Sequence, residues 1–417
     1  MGNKCQNESR LIKKHKKDKY FTLCPLIHDR ILLNEKKIVS NNVSCLGIIK
    51  YNNKDFILIG FYLGKIEIYD SETLDIVAED HEEIGIIEYI RYVGQLLNEY
   101  FVVVSQTYVR IFAFYSDGLG YNIKLLQKIS NPFESKVFHT EVLFSKAFYL
   151  DRNLYREYDI HERELDKKRR KKDKNSNYPV DEELIISSQK GIFIFESNKI
   201  NEKEDNSNKV NKDDNSEKKN FDINSHLENW EKNPYTFREQ IAKEDIYDMI
   251  QVNFKYLAGT IKDYLCLYSM ETYELVTKFS VNISENCDSV TFMLKEDILC
   301  VAGNNAISLI SIKDFEVLLV KIIKKKYKIT EICILPDYNI LIGVKKKSEV
   351  FSVGEVEYFY QYKCLHTVNK LTKKMEYSII QVSSKFLTKN YSNITMRCLS
   401  HNRLVTIIDN TIIQVWN

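Results

Sequence analysis

The sequence predicts an all-β fold in which seven four-stranded blades close into a ring. Three observations carry that prediction. A hairpin pattern returns seven times, the interval between copies fits one four-stranded unit, and the two ends of the sequence complete one another's last unit.

The hairpin reads FILIGFYLGKIEIYD, FVVVSQTYVRIFA, LIISSQKGIFIFES, YLAGTIKDYLCLYS, ILCVAGNNAISLIS, NILIGVKKKSEVFS and RLVTIIDNTIIQVWN. Each copy is an apolar strand, a polar or Gly turn, and a second strand. The second strand closes on a bulky residue followed by a small or polar one. The closing pairs are Tyr69-Asp70, Phe112-Ala113, Phe195-Glu196, Tyr268-Ser269, Ile310-Ser311, Phe351-Ser352 and Trp416-Asn417. Successive closing residues lie 43, 83, 73, 42, 41 and 65 positions apart. Three intervals share one period, and the others are that period plus an insertion. Roughly 40 to 45 residues of short alternating strands is the length of one propeller blade, whereas helical repeats of that length would show a 3.6-residue apolar period. The last copy stops after a third strand. Asp29 to Val39, DRILLNEKKIV, precedes the first full unit and is expected to supply the missing outer strand, which spares the ring a bare edge. The expectation is a seven-bladed β-propeller over residues 28–417.

Val415-Trp416-Asn417 and Tyr69-Asp70 stand where the WD-repeat family places its Trp-Asp pair, and Asp80-His81 stands where that family has Gly-His. The chain therefore resembles the WD-repeat β-propellers, although most copies lack both signatures. The resemblance implies a protein that assembles partners, with His81 hydrogen-bonded inside its blade.

Composition narrows the function classes. A 44% apolar content over 417 residues suffices for one large ring without a second domain. A net charge of +2 argues against a global polyanion-binding surface, so nucleic acid is not expected as a partner. The nine cysteines are odd in number and form no C-x-x-C pair or Cys/His cluster, so they read as buried hydrophobes in a reducing compartment and no metal is expected. No apolar run approaches a membrane span and no secretory signal opens the chain, so a soluble, intracellular protein is expected. No phosphate loop, zinc-protease or nucleophile-elbow motif occurs. No carboxylate pair stands out, so neither catalysis nor a cofactor is expected.

Four stretches fall outside the repeat: a basic tail over 1–27, and insertions near 152–182, 200–236 and 355–392. The 200–236 stretch is polar and low in complexity and reads as disordered inside. Blade strands alternate in direction. The insertion at 152–182 follows an innermost strand, and the one at 200–236 follows a third strand. Both are therefore expected on the face from which the N-terminal tail comes in, called the tail face below.

Met1-Gly2-Asn3-Lys4-Cys5-Gln6 resembles an N-myristoylation signal at Gly2, with Cys5 placed for palmitoylation, although Gln6 stands where Ser or Thr is usual. A single acyl chain holds weakly and needs a second chain or a basic patch. Lys13, Lys14, Lys16, Lys17 and Lys19 in the tail could supply that patch, as could Lys167, Lys168, Arg169, Arg170, Lys171 and Lys172 in the first insertion. The same KKRRKK also reads as a nuclear-import signal. On the opposite face, Tyr62, Tyr108, Asp263, Tyr264, Asn304, Tyr327 and Lys346 are candidates for protein contact, because tyrosine brings contact area at low entropy cost.

These residues lead to a non-catalytic scaffold or adaptor that binds other proteins, cytoplasmic, and tethered to an anionic membrane through acylation and basic residues. Two alternatives remain open. One is a phosphoinositide-binding propeller, disfavoured by the absence of a Phe-Arg-Arg-Gly motif. The other is a nuclear assembly or ribosome-biogenesis propeller.

Overall fold

The computed structural model describes residues 30–38, 43–80, 90, 92–96, 100–105, 108–130, 137–143, 183–197, 235–244, 246, 248–252, 255–261, 264–270, 272–281, 289–293, 298–303, 305–324, 327–335, 339–346, 357–368, 375–386 and 394–417. They form 28 strands in seven antiparallel four-stranded sheets. The chain starts with β1 (Leu32–Lys37). Blade 1 is β2 (Val43–Tyr51), β3 (Lys54–Phe61), β4 (Ile66–Asp70) and β5 (Ile76–Asp80), and blade 2 is β6 (Tyr92–Gln95), β7 (Tyr100–Val104), β8 (Tyr108–Ser116) and β9 (Tyr121–Ser130). Blade 3 is β10 (Val137–Leu143), β11 (Glu183–Ser188), β12 (Gly191–Ser197) and β13 (Tyr235–Ala242). Blade 4 is β14 (Asp248–Gln251), β15 (Tyr256–Ile261), β16 (Tyr264–Ser269) and β17 (Leu275–Ser280). Blade 5 is β18 (Ser289–Met293), β19 (Ile298–Gly303), β20 (Ala306–Ser311) and β21 (Glu316–Ile322), and blade 6 is β22 (Tyr327–Ile334), β23 (Asn339–Lys346), β24 (Glu357–Val368) and β25 (Met375–Phe386). Blade 7 is β26 (Ile394–Cys398), β27 (Leu404–Ile408) and β28 (Ile412–Trp416), with β1 as its fourth strand. Among the described residues no helix is long and apolar enough to cross a membrane.

The second and third strands of most blades are buried on both faces, which is why they read as unbroken apolar runs. Each face serves a different neighbour. On β3, Phe56 and Leu58 pack toward blade 2, whereas Ile57, Ile59 and Phe61 pack toward blade 7. On β19, Ile298, Cys300 and Ala302 face blade 6 while Leu299 and Val301 face blade 4. The apolar clusters accordingly fill the seams between blades, one to each seam of the ring. Each fully buried Leu, Ile or Phe contributes about 1.5–3 kcal/mol. Close approach of the innermost strands needs a missing side chain at Gly47, where a Cβ would come within 2.6 Å of the Val93 carbonyl oxygen.

The ring closes as the sequence predicts. β1 runs antiparallel to β28, with Leu32 opposite Trp416 and Lys37 opposite Ile412. The Asn417 N–H donates to the Ile31 carbonyl at 3.0 Å and the Ile38 N–H to the Thr411 carbonyl at 2.6 Å, extending the ladder at both ends.

One stretch departs from expectation. Residues 355–392, set apart from the repeat by sequence, contain the third and fourth strands of blade 6. The Phe351-Ser352 pair lies outside the described residues, and the third strand is Glu357–Val368 instead. Both strands run 12 residues. β23 pairs β24 only as far as Lys363, so Cys364–Val368 and their partners Met375–Ile379 continue as a two-stranded extension. The pattern escapes the repeat because the strand runs from the aromatic stretch Tyr358-Phe359-Tyr360 into alternating Gln361, Tyr362 and Lys363 and ends on no bulky-then-small pair. The insertions near 152–182 and 200–236, and the 1–27 tail, lie outside the described residues.

Candidate functional site

The first and second strands of every blade, and the third and fourth strands of blades 1 to 6, are joined on the tail face. In blades 1, 4 and 5 the small or polar member of the closing pair has its explanation here. Asp70 Oδ1 accepts the N–H groups of Glu72 at 2.8 Å and Thr73 at 3.2 Å, and Lys54 Nζ meets Oδ2 at 2.5 Å. Ser269 Oγ accepts the Thr272 N–H at 3.2 Å, and Ser311 Oγ accepts the Asp314 N–H at 3.1 Å. All three caps precede a residue in the left-handed region four positions on: Leu74 (φ 60°), Tyr273 (φ 55°) and Phe315 (φ 54°). The shared turn DSETLD, SMETYE and SIKDFE was legible in the sequence as a polar cap followed by Glu/Lys-Thr/Asp-bulky-acid. Burial raises the Asp70 carboxyl, but Lys54 and the two turn N–H groups outweigh it and hold Asp70 below the ordinary carboxylate range.

The tail comes in beside a polar junction between blades 7 and 1. Arg30 Nη1 donates to the Asn402 carbonyl. Asp55, 2% exposed, accepts from the Ser400 N–H at 2.7 Å, from Ser400 Oγ at 2.8 Å and from Arg403 Nη2 at 3.4 Å. Sequence reasoning missed this junction because its members are some 345 positions apart. Gly2, Cys5, the lysines at 13–19 and the Lys167–Lys172 cluster lie outside the described residues. Blade 3's two long connections leave and rejoin at Leu143 and Glu183 and at Ser197 and Tyr235, all strand ends on the tail face.

The opposite face divides the predicted contact residues. Tyr62 and Tyr264 are 42% and 43% exposed, and Leu63 beside Tyr62 is 59% exposed. Tyr108 and Tyr327 are 5% and 4% exposed and so offer little surface, contrary to expectation. Both open strands next to a seam. Lys128 Nζ covers the Tyr108 ring at 3.8 Å, and Tyr327 packs in the apolar cluster between blades 5 and 6. Asp263 and Asn304 lie outside the described residues. Lys346 pairs with Tyr327 across β22 and β23, and its side chain lies outside the described set. The register also sets Lys328 opposite Lys345. Arg110, 3% exposed, reaches across to blade 1, donating to the Gly64 carbonyl at 3.2 Å with Asp80 at 3.7 Å. His81 lies outside the described residues, whereas Trp416 is fully buried and donates from Nε1 to Thr406 Oγ1 at 3.1 Å.

Among the described residues, the innermost strands of blades 6 and 7 bring an ion pair together: Arg397 Nη1 meets Glu331 Oε1 at 2.6 Å. Burial raises the Glu331 carboxyl above its ordinary range, Arg397 pulls it back down, and Asp248 on another blade's innermost strand adds to the rise. Among the described residues no group of His, Cys, Asp and Glu could hold a metal ion. Burial pushes the Cys45 thiol up to about 12 and the Cys266 thiol up to about 11, so these cysteines are inert side chains of the core.

The architecture is that of a seven-bladed β-propeller. It is similar to the Cps50 (Swd1) β-propeller domain of Myceliophteria thermophila, with a TM-score of 0.52 and 10% identity over 93% of this chain and 99% of that one. At that identity the likeness carries the fold alone. Among solved structures 884 chains match, and a fold so widely shared does not name a function. No family model matches the chain, and no curated protein matches it in sequence.

Proposed function

We propose that the chain is a non-catalytic scaffold that binds other proteins on the face carrying Tyr62 and Tyr264 and is tethered to a membrane from its tail face. The fold supports the scaffold reading, since a propeller supplies a rigid disc with two broad faces. The observation that carries the sidedness is strand phase. Arg30, the end of β28 and both long connections of blade 3 meet the disc on the same side. Acyl groups on Gly2 and Cys5, with the basic residues at 13–19 and 167–172, would then act together from that side. Such combined signals are what stable anchoring needs.

Metabolic labelling with a myristate analogue tests the tether. The native protein is expected to take the label and to sediment with membranes, and Gly2→Ala to lose both. An unlabelled native protein would overturn the tether and leave the scaffold reading standing. Nuclear accumulation abolished by neutralising Lys167 to Lys172 would favour import instead.

A further inference from the structure

The fourth strand of each blade is an edge, with one row of backbone N–H and C=O groups that no further strand of its sheet takes up. Natural proteins guard such edges with charge, proline or a bulge, because a bare apolar edge pairs with another chain. One edge here is guarded less than the rest. β21 in blade 5 reads EVLLVKI, with no Pro or Gly, four apolar residues in succession and charges only at Glu316 and Lys321. It exposes Val317 (40%), Val320 (51%) and Ile322 (63%), and among the described residues no other outer strand exposes more than two large apolar side chains. On other edges the charges are tied down within the chain: Lys36 on β1 meets Asp75 at 3.6 Å, Glu79 on β5 meets Lys65 at 2.8 Å, and Lys278 on β17 meets Glu244 at 3.1 Å. Glu316 and Lys321 have no such ion-pair partner among the described residues.

The pairing with β20 fixes where these groups point. Val317, Val320 and Ile322 stand opposite Ile310, Ser308 and Ala306, alternate residues of β20, so they share the side of the sheet that faces blade 4. Glu316, Leu319 and Lys321 stand opposite Ser311, Leu309 and Ile307 and take the other side. A bulge at Leu318, which has no partner on β20, keeps the two sets in phase. The Ile323 N–H donates to the Asn305 carbonyl at 2.7 Å, so alternation turns the N–H and C=O groups of Val320 and Ile322 outward from the blade.

This edge is its own complement. When a second copy of the strand is laid beside it in the opposite direction, with Val320 opposite Val320, the bulge brings Val317 opposite Ile322 at both ends. Six apolar side chains then make one stripe on the blade 4 side. On the other side Leu319 falls opposite the second copy's Lys321, and Glu316, the next residue along that side, comes diagonally beside the same lysine, within reach of long side chains. By symmetry the ion pair forms twice. Successive blades turn by roughly 50° around a seven-bladed ring, so the neighbouring rims fall back from the contact.

We propose that β21 joins a second copy of this chain edge to edge about a twofold axis at Val320, merging two copies of blade 5 into one eight-stranded sheet. The contact belongs to the small class that buries under about 1,200 Å² in total, so the dimer is weak and dissociates in the micromolar range. The axis turns one copy over, and the two tail faces point in opposite directions. Only one copy of a pair can then meet a given membrane from its tail face. The inference goes beyond the scaffold and tether readings and rests on neither.

Sedimentation velocity of the full chain, made without N-terminal acylation and run over a concentration series, tests it. A reversible monomer–dimer equilibrium is expected. Val320→Lys sets two ammonium groups against each other on the axis and removes the central apolar pair, and should weaken dimerisation at least about tenfold. Glu316→Lys and Lys321→Glu should each weaken it by a smaller factor, and the double reversal, which restores the pair with its signs exchanged, should recover it. Ile76→Lys, at an exposed position on the edge strand of blade 1, should change nothing. Val320 and Ile76 are both exposed, so an unaltered melting temperature is expected of each variant. A monomer at every concentration, a dimer indifferent to Val320→Lys, a double reversal as weak as its singles, or loss through Ile76→Lys would each overturn the proposal. None of these outcomes touches Gly2, whose labelling experiment stands apart.

Discussion

Blades 1 and 7 meet the same structural demand by different means. In blade 1 the third and fourth strands are joined by a turn that Asp70 caps and Lys54 braces. In blade 7 no turn joins them: β28 and β1 belong to opposite ends of the fold and are held by the ladder from Leu32 and Trp416 to Lys37 and Ile412. Asn417, at the position of Asp70, therefore has no turn to cap, and its backbone N–H goes to Ile31. What blade 7 lacks in chain connection it gains in side-chain anchorage. Trp416 is fully buried, Gln414 Nε2 donates to Glu35 Oε2 at 2.5 Å, and Asn34 and Lys36 of β1 donate to the Glu72 and Leu74 carbonyls in the blade 1 turn at 2.9 and 2.6 Å. The same sequence slot thus holds a turn cap in one blade and a strand end in the other.

Substitutions at matched positions sharpen the contrast. The largest effect is expected at Trp416, where Trp416→Ala empties a closed seam beside Leu404, Ile408 and Met396 and should cost about 3–5 kcal/mol in denaturant unfolding. Next comes Asp55→Ala, which strands Arg403 and the Ser400 N–H at the junction of the two blades. It should cost about 3 kcal/mol, because removing one partner of a buried charge leaves the other uncompensated. Asp70→Ala removes two turn hydrogen bonds and the Lys54 contact and should cost about 1–2 kcal/mol. Its pH dependence has a definite sign. The folded carboxyl lies below the ordinary value of about 3.9, so the advantage of Asp70 over Asn is complete above that pH and is lost as pH falls through the folded value. Thermal melts of Asp70→Asn from pH 7 downward should converge on wild type in acid. Smallest of all, Asn417→Ala should shift stability by under about 0.5 kcal/mol, because its side chain caps nothing. A large loss at Asn417 and none at Asp70 would break the contrast.

The ring was legible because strand alternation and period are local properties, and the closing strand because an unpaired third strand demands a partner. The closing pair was legible as a pattern, but its cause, a side chain bonded to N–H groups two and three residues on, needed the turn's geometry. Blade 6 escaped because its third strand is twice the usual length and amphipathic. Tyr108 and Tyr327 resemble rim residues in sequence, yet each begins a strand against a neighbouring blade. Whether such a ring faces solvent or a seam depends on packing between units far apart in the chain. Asp55, Ser400 and Arg403 show the same limit most plainly, since no local pattern links a hairpin near residue 53 to a turn near residue 401.

Every statement about sides depends on β1 being the fourth strand of blade 7. Amide hydrogen exchange on the intact protein tests this most directly. With β1 in place, β28 is an inner strand, and the amides of Ile412–Trp416 should exchange as slowly as those of Ile66–Asp70 in blade 1. Exchange at Ile412–Trp416 as fast as in the outer strand Ile76–Asp80 would contradict the closure and, with it, the placement of the tail.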